Sequence, residues 1–438
     1  MIDQPGAALV RTAGDPKAGH PFRRRPRKWD SHDMSHMDIV RESAAAGRVV
    51  VWEEAARDGA QAKTLMRAGQ RVRLAREQGA MFGADGPRHV VFAAGFPAVC
   101  REEYEAVRQV ATEAEGCVSV AAVCRAAAGD IDQAVASVRG SAHARVMVVV
   151  PATDAMAAVM VHGTARDALR AGVELTARTK DAGVAVDVCF ADASRADHAL
   201  MAEYAARSTE AGAGVVLLAD TVGCQLPAGC ATMFEAVAAG AGPATVLGSH
   251  LHNDLGLGLA NTLQALGAGV RVISSSWLGL AERTGLVATE QLLFLLSRHP
   301  EAFLGPGAAP WWTAPDLTRL PGLAAQVSEA TGVPLTVTTP IVGSGVGTIS
   351  TGTPFVEPRI FQPFDPREVL GVEPQVLLTH LASARVVAAV AERLGYRLGR
   401  EQVRAAMAWV KAHAYRAGRA TVDEGTFAGY LDGLTVAR

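Results

Sequence analysis

Residues 248–256 have the sequence Gly-Ser-His-Leu-His-Asn-Asp-Leu-Gly and follow a short apolar run that begins at residue 245. Such a run is typical of a β-strand, in which residues two apart point to the same face. His250 and His252 would then present two imidazoles side by side, while Leu251 packs in the opposite direction. Two imidazoles in this arrangement are a ready pair of metal ligands. The alternative is that both are simply polar residues at a strand end.

A carboxylate that would complete such a site lies far upstream. Asp58 belongs to the segment 57–61, Arg-Asp-Gly-Ala-Gln, which follows a strand-like run at residues 48–52. A divalent ion held by two imidazoles usually takes a carboxylate as its third ligand and keeps open positions for a substrate. If both strands belong to one barrel, the three side chains meet at one rim. The sequence therefore predicts Asp58, His250 and His252 as metal ligands.

From residue 48 onward, short β-rich runs alternate with alanine-rich helical patterns. The predicted strands are 48–52, 89–94, 117–123, 145–150, 184–190, 214–219, 245–251 and 270–275. The predicted helices between them are 61–78, 101–114, 131–138, 165–182, 195–211, 227–239 and 258–266. Eight strand–helix units in series predict an α/β fold, a (β/α)8 TIM barrel, whose active site forms at the C-terminal ends of the strands. A doubly wound open sheet shows the same alternation, but it brings the first and seventh strands together less naturally.

Five segments occur in the order found in one enzyme family. They are 57–61, 95–97 (Gly-Phe-Pro), 220–223 (Asp-Thr-Val-Gly), 250–256 and 279–285 (Gly-Leu-Ala-Glu-Arg-Thr-Gly). On these segments the chain resembles the metal-dependent condensing and lyase family of homocitrate synthase, isopropylmalate synthase, citramalate synthase and hydroxymethylglutaryl-CoA lyase. The resemblance implies a divalent metal ion (zinc, manganese or magnesium) and two small-molecule substrates, a 2-oxo acid and an acyl-CoA.

The resemblance also assigns roles to residues around the metal. Arg57 is expected to be a catalytic and substrate-binding group that stabilises the negative charge developing on the keto oxygen. Gln61 and Thr221 are expected to bind substrate, Thr221 through the substrate carboxylate. Asn253 and Asp254 are expected to fix the tautomers of the metal-binding imidazoles.

The segment that follows the eighth strand carries a further candidate. In relatives the corresponding loop helps to accept the acyl-CoA, so Glu282 is a candidate catalytic residue. An ion pair between Glu282 and Arg283 that braces the loop is an equal alternative. Leu286 stands where isopropylmalate synthases usually have asparagine and homocitrate synthases an apolar residue, which mildly favours the homocitrate synthase branch.

Several positions depart from the family pattern. Alanine stands at two positions where condensing relatives carry glutamate, in Phe92-Ala93-Ala94-Gly95 and in Phe190-Ala191-Asp192, and residues 347–354 contain none of the expected histidines. The groups that would bind the oxo acid are retained, whereas those that would deprotonate acetyl-CoA are replaced. Either another residue has taken over as base or the reaction has changed. The candidate replacement bases are Asp192, His89, His162 and His380.

Proline and glycine mark the expected division of the chain into four parts. Residues 1–46, with a basic cluster at 23–28, are expected to be a flexible N-terminal extension; 47–304 the barrel; 305–325 a linker; and 326–438 a mainly helical module. Within the last two parts, helices are predicted at 317–331, 376–396 and 399–415. In condensing relatives this module is a lid that crosses between subunits, so the resemblance implies a homodimer with swapped C-terminal modules.

Composition excludes some partners. The 42 basic and 44 acidic residues nearly balance, which argues against a nucleic-acid partner. No apolar run reaches the length of about 18 residues that a membrane span needs. The six cysteines contain no Cys-Xaa-Xaa-Cys pair, as expected for the reduced thiols of a cytoplasmic protein.

The sequence supports three functions. The first is a metal-dependent acyltransferase that joins an acyl-CoA, acetyl-CoA by preference, to a 2-oxo acid in a Claisen-type condensation and gives a 2-hydroxy di- or tricarboxylic acid. The altered proton-transfer groups point to an unusual oxo acid in specialised metabolism. The second is a carbon–carbon lyase or aldolase that acts on the same metal-held oxo acid. The third is a non-catalytic relative that binds metal and ligand.

Overall fold

The computed structural model describes residues 38–436, in which eight parallel strands close into a barrel. The strands are β1 Val50–Glu53, β2 Val90–Gly95, β3 Ser119–Arg125, β4 Ala144–Pro151, β5 Ala185–Ala191, β6 Ala213–Asp220, β7 Leu247–Leu251 and β8 Val272–Ser275. β1 pairs in parallel with both β2 and β8, which closes the barrel. The predicted TIM barrel is confirmed, and each strand ends within two residues of its predicted bounds.

Helices accompany the barrel, most of them on its outer side. They are α1 Ile39–Ala45, α2 Ala68–Ala80, α3 Gly86–His89, α4 Arg101–Glu113, α5 Ala128–Val138, α6 Asp154–Met160, α7 Ala165–Asp181, α8 His198–Glu210, α9 Pro227–Ala241, α10 Gly258–Gly267, α11 Thr289–Arg298 and α12 Pro300–Leu304. The main departure from prediction is α2, which was expected from residue 61. Gly59–Ala62 instead form a 3-10 turn that ends at Lys63 in the left-handed region, with φ of 65°. Because an α-helix cannot continue through that conformation, α2 starts afresh after Arg67.

The N-terminal end of the barrel is closed by α1. Val40 and Ala44 pack into the cluster of side chains that fills the barrel interior. Asp38 accepts a hydrogen bond of 3.1 Å from Nη2 of Arg145, whose Nε donates to Asp187 at 2.9 Å. The predicted N-terminal extension, residues 1–46, is therefore wrong for its last part, because α1 carries an apolar face that the barrel buries. Residues 1–37 lie outside the described residues.

The C-terminal part is mainly helical. Its helices are α13 Leu320–Thr331, α14 Gly352–Val356, α15 Pro366–Leu370, α16 Ala384–Arg393, α17 Arg400–Ala417 and α18 Glu424–Val436, and its strands are β9 Thr348–Ile349, β10 Gln375–Val376, β11 Leu378–Thr379 and β12 Thr421–Val422. A separate apolar core unites β11, α16, α17, β12 and α18. The helix predicted from residue 376 begins only at Ala384, because β11 pairs antiparallel with β12.

The predicted linker, residues 305–325, is not free of regular structure. α13 begins inside it at Leu320, and its apolar residues Leu323, Ala324 and Val327 belong to the same buried cluster as the barrel helices. This part of the chain thus extends the barrel's outer core before the C-terminal core begins.

Candidate metal and substrate site

The three predicted metal ligands meet at the C-terminal rim of the barrel. Asp58 precedes the 3-10 turn after β1, His250 lies near the end of β7 and His252 directly follows it. Oδ2 of Asp58 lies 3.1 Å from Nε2 of His250 and 3.7 Å from Nε2 of His252. One donor atom from each side chain falls within 4.8 Å of the others, and all three residues are buried.

These side chains fit a divalent ion. Within the described residues, Oδ2 of Asp58 and Nδ1 of both histidines are buried without a hydrogen-bond partner. A buried polar atom left in this way is costly, and a bound cation would relieve the cost at the carboxylate. Two imidazoles and a carboxylate suit zinc, manganese, iron or cobalt better than magnesium. When bound, such an ion supplies Lewis-acid polarisation of a carbonyl oxygen.

The protonation states also match those of ligands. Burial, together with the neighbouring His250, lowers the pKa of His252 to about 4 against the opposing charge of Asp58. Burial alone would raise the pKa of Asp58, but Arg57 and the two histidines outweigh it and hold this pKa well below its usual range. His252 is therefore neutral and Asp58 ionised near neutral pH, as metal coordination requires.

Arg57 lies beside the three ligands, where a catalytic guanidinium was predicted. Its Nη2 is 3.9 Å from Oδ2 of Asp58. Its Nε and Nη2 donate to the two carboxylate oxygens of Glu54, at 2.8 and 2.9 Å. Burial would lower the pKa of Arg57, but the charges of Glu54 and Asp58 raise it above its already high value, so the side chain stays cationic.

Glu54 was not singled out from the sequence. Its side chain is fully buried. Oε1 lies 3.6 Å from Nδ1 of His250 and also accepts the hydrogen bond from Nη2 of Arg57. The signal that would have found it is the pair Glu53-Glu54 at the end of an apolar strand, since buried carboxylates require partners.

Thr221 and Asp192 contact each other at the ends of β6 and β5. Oγ1 of Thr221 accepts the backbone N–H of Asp192 at 2.8 Å. Both carboxylate oxygens of Asp192 are already engaged, because Arg195 donates to each of them and Thr153 donates to Oδ2 at 2.6 Å. The structure thus places Asp192 in an ion pair, which makes it a poor free base, and its predicted catalytic role stays a prediction.

Asn253 and Asp254 do not have the contacts that were predicted for them. Oδ1 of Asn253 accepts the backbone N–H of Gly258 at the start of α10, at 2.8 Å. Asp254 accepts two hydrogen bonds from Arg283, at 2.9 and 3.0 Å. These contacts engage both carboxylate oxygens of Asp254 and the amide oxygen of Asn253, and the predicted role of the two residues in fixing the imidazole tautomers stays a prediction.

The loop after β8 reaches the metal ligands through its backbone. The N–H of Glu282 donates to Oδ1 of Asp58 at 3.3 Å, while the Glu282 side chain is half exposed and lies 3.3 Å from Nη1 of Arg283. The bracing ion pair that was one of two predictions for Glu282 is thus present. Its predicted catalytic role stays a prediction.

The remaining predicted site residues are a glutamine and three histidines that were candidate bases. The Gln61 side chain is exposed on the turn after Asp58, so its predicted substrate contact stays a prediction. His89 precedes β2 at the opposite end of the barrel, where its Nδ1 contacts the carbonyl of Val49 and its Nε2 accepts the N–H of Trp312. His162 is an exposed loop residue, and His380 packs edge-on against Tyr415 of the C-terminal core region.

Apolar side chains form the barrel interior near β2, β4 and β5. Ala93 and Cys189 belong to the interior cluster, and the half-buried Phe96 and Val149 pack against it. Val149 lies opposite Cys189 across the β4–β5 pair. Ala93, at one of the expected glutamate positions, thus belongs to an apolar wall, and Ala191, at the other, is buried.

Polar atoms without partners occur on the other side of the interior. Within residues 38–436, the hydroxyls of Ser274 and Ser276 and Nε1 of Trp52 are buried without a hydrogen-bond partner. Trp52 on β1 lies opposite Ser274 on β8. β8 is in turn the neighbour of β7, the strand that carries His250. The run Val-Ile-Ser-Ser-Ser at the end of β8 was the sequence signal for these hydroxyls.

The fold and the site together define a class of protein. Its members are closed barrels of parallel strands that carry, at the C-terminal rim, one carboxylate and two histidines from the end of a single strand. The chain belongs to the HMGL-like family, whose family model matches residues 49–327.

Curated relatives and solved structures agree with this membership. The chain is 32% identical over 284 residues to a 2-isopropylmalate synthase from Solidesulfovibrio magneticus, a match that covers 64% of this chain and 54% of that protein. It is 34% identical over 325 residues to a putative (R)-citramalate synthase from Methanosphaerula palustris, covering 73% of this chain and 61% of that protein. It therefore spans less than two thirds of these two relatives.

Among solved structures, the HMG-CoA lyase from Bacillus subtilis has the same fold. The TM-score is 0.54 at 18% sequence identity, and the match covers 66% of this chain and 95% of the lyase. Among the helices of the described residues, none is both long enough and apolar enough to cross a membrane.

Proposed function

We propose that the protein is a metal-dependent acyltransferase that condenses an acyl-CoA, acetyl-CoA by preference, with a 2-oxo acid to give a 2-hydroxy di- or tricarboxylic acid. The observation that carries this proposal is the cationic Arg57 beside Asp58, His250 and His252. The ligands would hold a zinc or manganese ion, with magnesium the less suited of the predicted metals. Arg57 would stabilise the alkoxide that forms as the keto carbon is attacked.

The wall of the site favours an apolar side chain on the oxo acid. Phe96, Val149 and Cys189 offer no charge to a second carboxylate near β2, β4 and β5. Three arginines at or after strand ends are each engaged with a carboxylate: Arg125 with Asp130, Arg195 with Asp192 and Arg283 with Asp254. We therefore expect a branched-chain or longer apolar 2-oxo acid to be preferred over 2-oxoglutarate, against the mild expectation from Leu286.

The absence of the two glutamates that condensing relatives carry supports a second candidate function. A condensation must form an enolate, to which a positioned base usually contributes about a hundred- to ten-thousand-fold. Alanine occupies both expected glutamate positions, and the Asp192 carboxylate is engaged by Arg195. This observation favours, as the second candidate, a metal-dependent lyase or aldolase that cleaves a carbon–carbon bond of the same metal-held oxo acid.

We further propose that the working form is a cytoplasmic homodimer in which the C-terminal module of one subunit covers the barrel rim of the other. Large apolar side chains are exposed on loops that follow the barrel strands: Leu65 and Val99 at 69%, Leu226 at 61% and Leu255 at 57%. All four side chains follow strands whose C-terminal ends share one rim, and exposed apolar patches often mark an interaction surface. The six cysteines are free thiols, which suits a reducing compartment.

Thiol release from acetyl-CoA tests the proposed reaction. Purified, zinc- or manganese-loaded protein is assayed against 2-oxoisovalerate, pyruvate, 2-oxoglutarate and oxaloacetate, with His252→Ala as the blank. Thiol release that depends on one oxo acid and disappears in the variant supports the condensation. Formation of a 2-oxo acid from an added 2-hydroxy acid, without CoA turnover, would support the lyase instead. Metal binding without either activity would leave a non-catalytic relative.

A further inference from the structure

Glu54 joins the two halves of the candidate site. Its carboxylate holds Arg57 with two hydrogen bonds of 2.8 and 2.9 Å, a bidentate geometry that fixes the plane of a guanidinium. The same carboxylate approaches His250, with Oε1 at 3.6 Å from Nδ1. Its side chain is fully buried, so water does not compete for these contacts.

The His250 contact is longer than a hydrogen bond, yet it has the arrangement that a metal-binding histidine uses. His250 faces Asp58 through Nε2 and Glu54 through Nδ1. An imidazole that binds a metal through one nitrogen carries its proton on the other, and a nearby carboxylate commonly accepts that proton's hydrogen bond. Nδ1 of His250 has no other partner within the described residues.

The side chains predicted for this role make other contacts. Asn253 caps α10 and Asp254 is bonded to Arg283. Arg57, for its part, has five N–H donors, and Glu54 accepts two of them. The remaining donors stay available for a substrate oxygen while the plane of the guanidinium is held.

We propose that Glu54 is a positioning residue that orients both Arg57 and the metal ligand His250. It thereby controls both the affinity of the site for metal and the orientation of the guanidinium that binds substrate. This inference deepens the proposed function and rests on it for the role of Arg57. The competing explanation is that Glu54 only neutralises a buried arginine.

Metal affinity separates these explanations without any need for turnover. Glu54→Gln and the milder Glu54→Asp are titrated with Zn²⁺ against a competing chelator, after circular dichroism has shown that they are folded. Loss of a carboxylate behind a metal-binding histidine usually costs about ten- to a hundred-fold in metal affinity. We expect a loss of this size for Glu54→Gln, a smaller loss for Glu54→Asp, and a matching fall in the affinity of the zinc-loaded protein for 2-oxoisovalerate.

Asp187→Asn provides the matched control. Asp187 forms a bidentate pair with the buried Arg145 at the opposite end of the barrel, with contacts of 2.9 and 2.6 Å. This variant also removes one charge from a buried arginine pair, so it should lose stability but keep its zinc affinity. Unchanged zinc affinity in folded Glu54→Gln, or an equal loss in Asp187→Asn, would overturn the inference.

The outcomes also separate this inference from the proposed function. Parent protein that binds zinc but releases no thiol would overturn the proposed condensation, while the zinc titrations would still test Glu54. Parent protein that binds no zinc would overturn the pairing of Glu54 with a metal ligand. If Glu54→Gln does not fold, Glu54→Asp decides, and zinc affinity equal to that of the parent overturns the inference.

Discussion

At the scale of single residues, the site depends on burial that changes the protonation of its side chains. Burial and the neighbouring His250 keep the His252 imidazole neutral at physiological pH, with a pKa of about 4. Arg57 and the histidines keep Asp58 ionised. The neutral imidazole of His252 and the ionised carboxylate of Asp58 are the forms that bind metal, so the electrostatics of the protein itself prepare these two groups for an ion.

The histidine assignment predicts a loss of bound metal. His250→Ala or His252→Ala removes one of three protein ligands, so we expect zinc content after dialysis to fall from one equivalent to well below it. Elemental analysis of the purified variants measures this. His299→Ala, which changes an exposed histidine after α11, is the control and should keep its zinc. Full zinc content in both site variants would show that the metal lies elsewhere.

The role of Arg57 predicts a kinetic defect without loss of metal. Arg57→Lys keeps the positive charge but gives up the bidentate contact with Glu54, so the cation is no longer held in one plane. We expect kcat/KM to fall by about a hundred- to a thousand-fold, the usual cost of a lost group that stabilises an oxyanion. Steady-state kinetics with retained zinc content checks this, and wild-type kcat/KM would exclude Arg57 from the chemistry.

At the scale of elements, a buried carboxylate network attaches the loop after β8 to β1. Glu53 accepts the N–H of Trp277 at 3.1 Å and the hydroxyl of Thr289 at 2.7 Å, and Glu290 on α11 accepts the N–H of Leu278 at 3.1 Å. This loop continues to Glu282, whose backbone donates to Asp58. The network therefore holds in place the loop whose backbone contacts the metal-ligand candidate Asp58.

This network predicts that stability falls as pH rises. Burial raises the pKa of Glu290 from 4.5 to about 7, so between these values the folded protein binds more protons than the unfolded chain. The stabilisation is complete below pH 4.5 and is lost as pH rises through 7, a loss of about 3 kcal/mol. In urea unfolding of metal-free protein, Glu290→Gln should show a weaker decline from pH 5 to 8 than the parent.

The exposed Glu301 at the start of α12 provides the control for that experiment. Glu301→Gln should leave the pH dependence of the free energy of unfolding as it is in the parent. An equal decline in the parent and in Glu290→Gln would show that Glu290 is ionised in the folded protein.

At the scale of the whole molecule, the proposed dimer places the C-terminal module of one subunit on the barrel rim of the other. The C-terminal core is separate from the barrel core, with Val386, Val410 and Phe427 at its centre. Apolar side chains are exposed on the barrel rim above the site. A module with its own core and a rim that exposes apolar side chains are both compatible with the proposed subunit exchange.

A charge placed on the rim should disrupt the dimer. Leu226→Asp puts a carboxylate on a side chain that is 61% exposed in the single chain, so folding should be unaffected while association is weakened. Light scattering after size-exclusion chromatography should show a shift toward the monomer mass. Arg139→Glu, an exposed change beyond the end of α5, is the control and should keep the parent mass. Equal masses for all three proteins would argue against a rim interface.

The sequence by itself determined the barrel and the place of its three metal-ligand candidates. Both depend on local rules: alternating strand and helix patterns predict the closed sheet, and parallel strands deliver Asp58, His250 and His252 to one rim. A turn such as Gly59–Ala62, which delays α2, was missed because it depends on the left-handed backbone of one residue, Lys63.

Only the tertiary structure decided which partners the charged side chains take. Asp254 is engaged by Arg283, and α1 fills the end of the barrel through Val40. Glu53 meets Trp277 across 224 positions of the chain, a contact that no local pattern encodes. Such pairings follow from strand register and packing, which bring together residues whose spacing in the sequence carries no information about their contact.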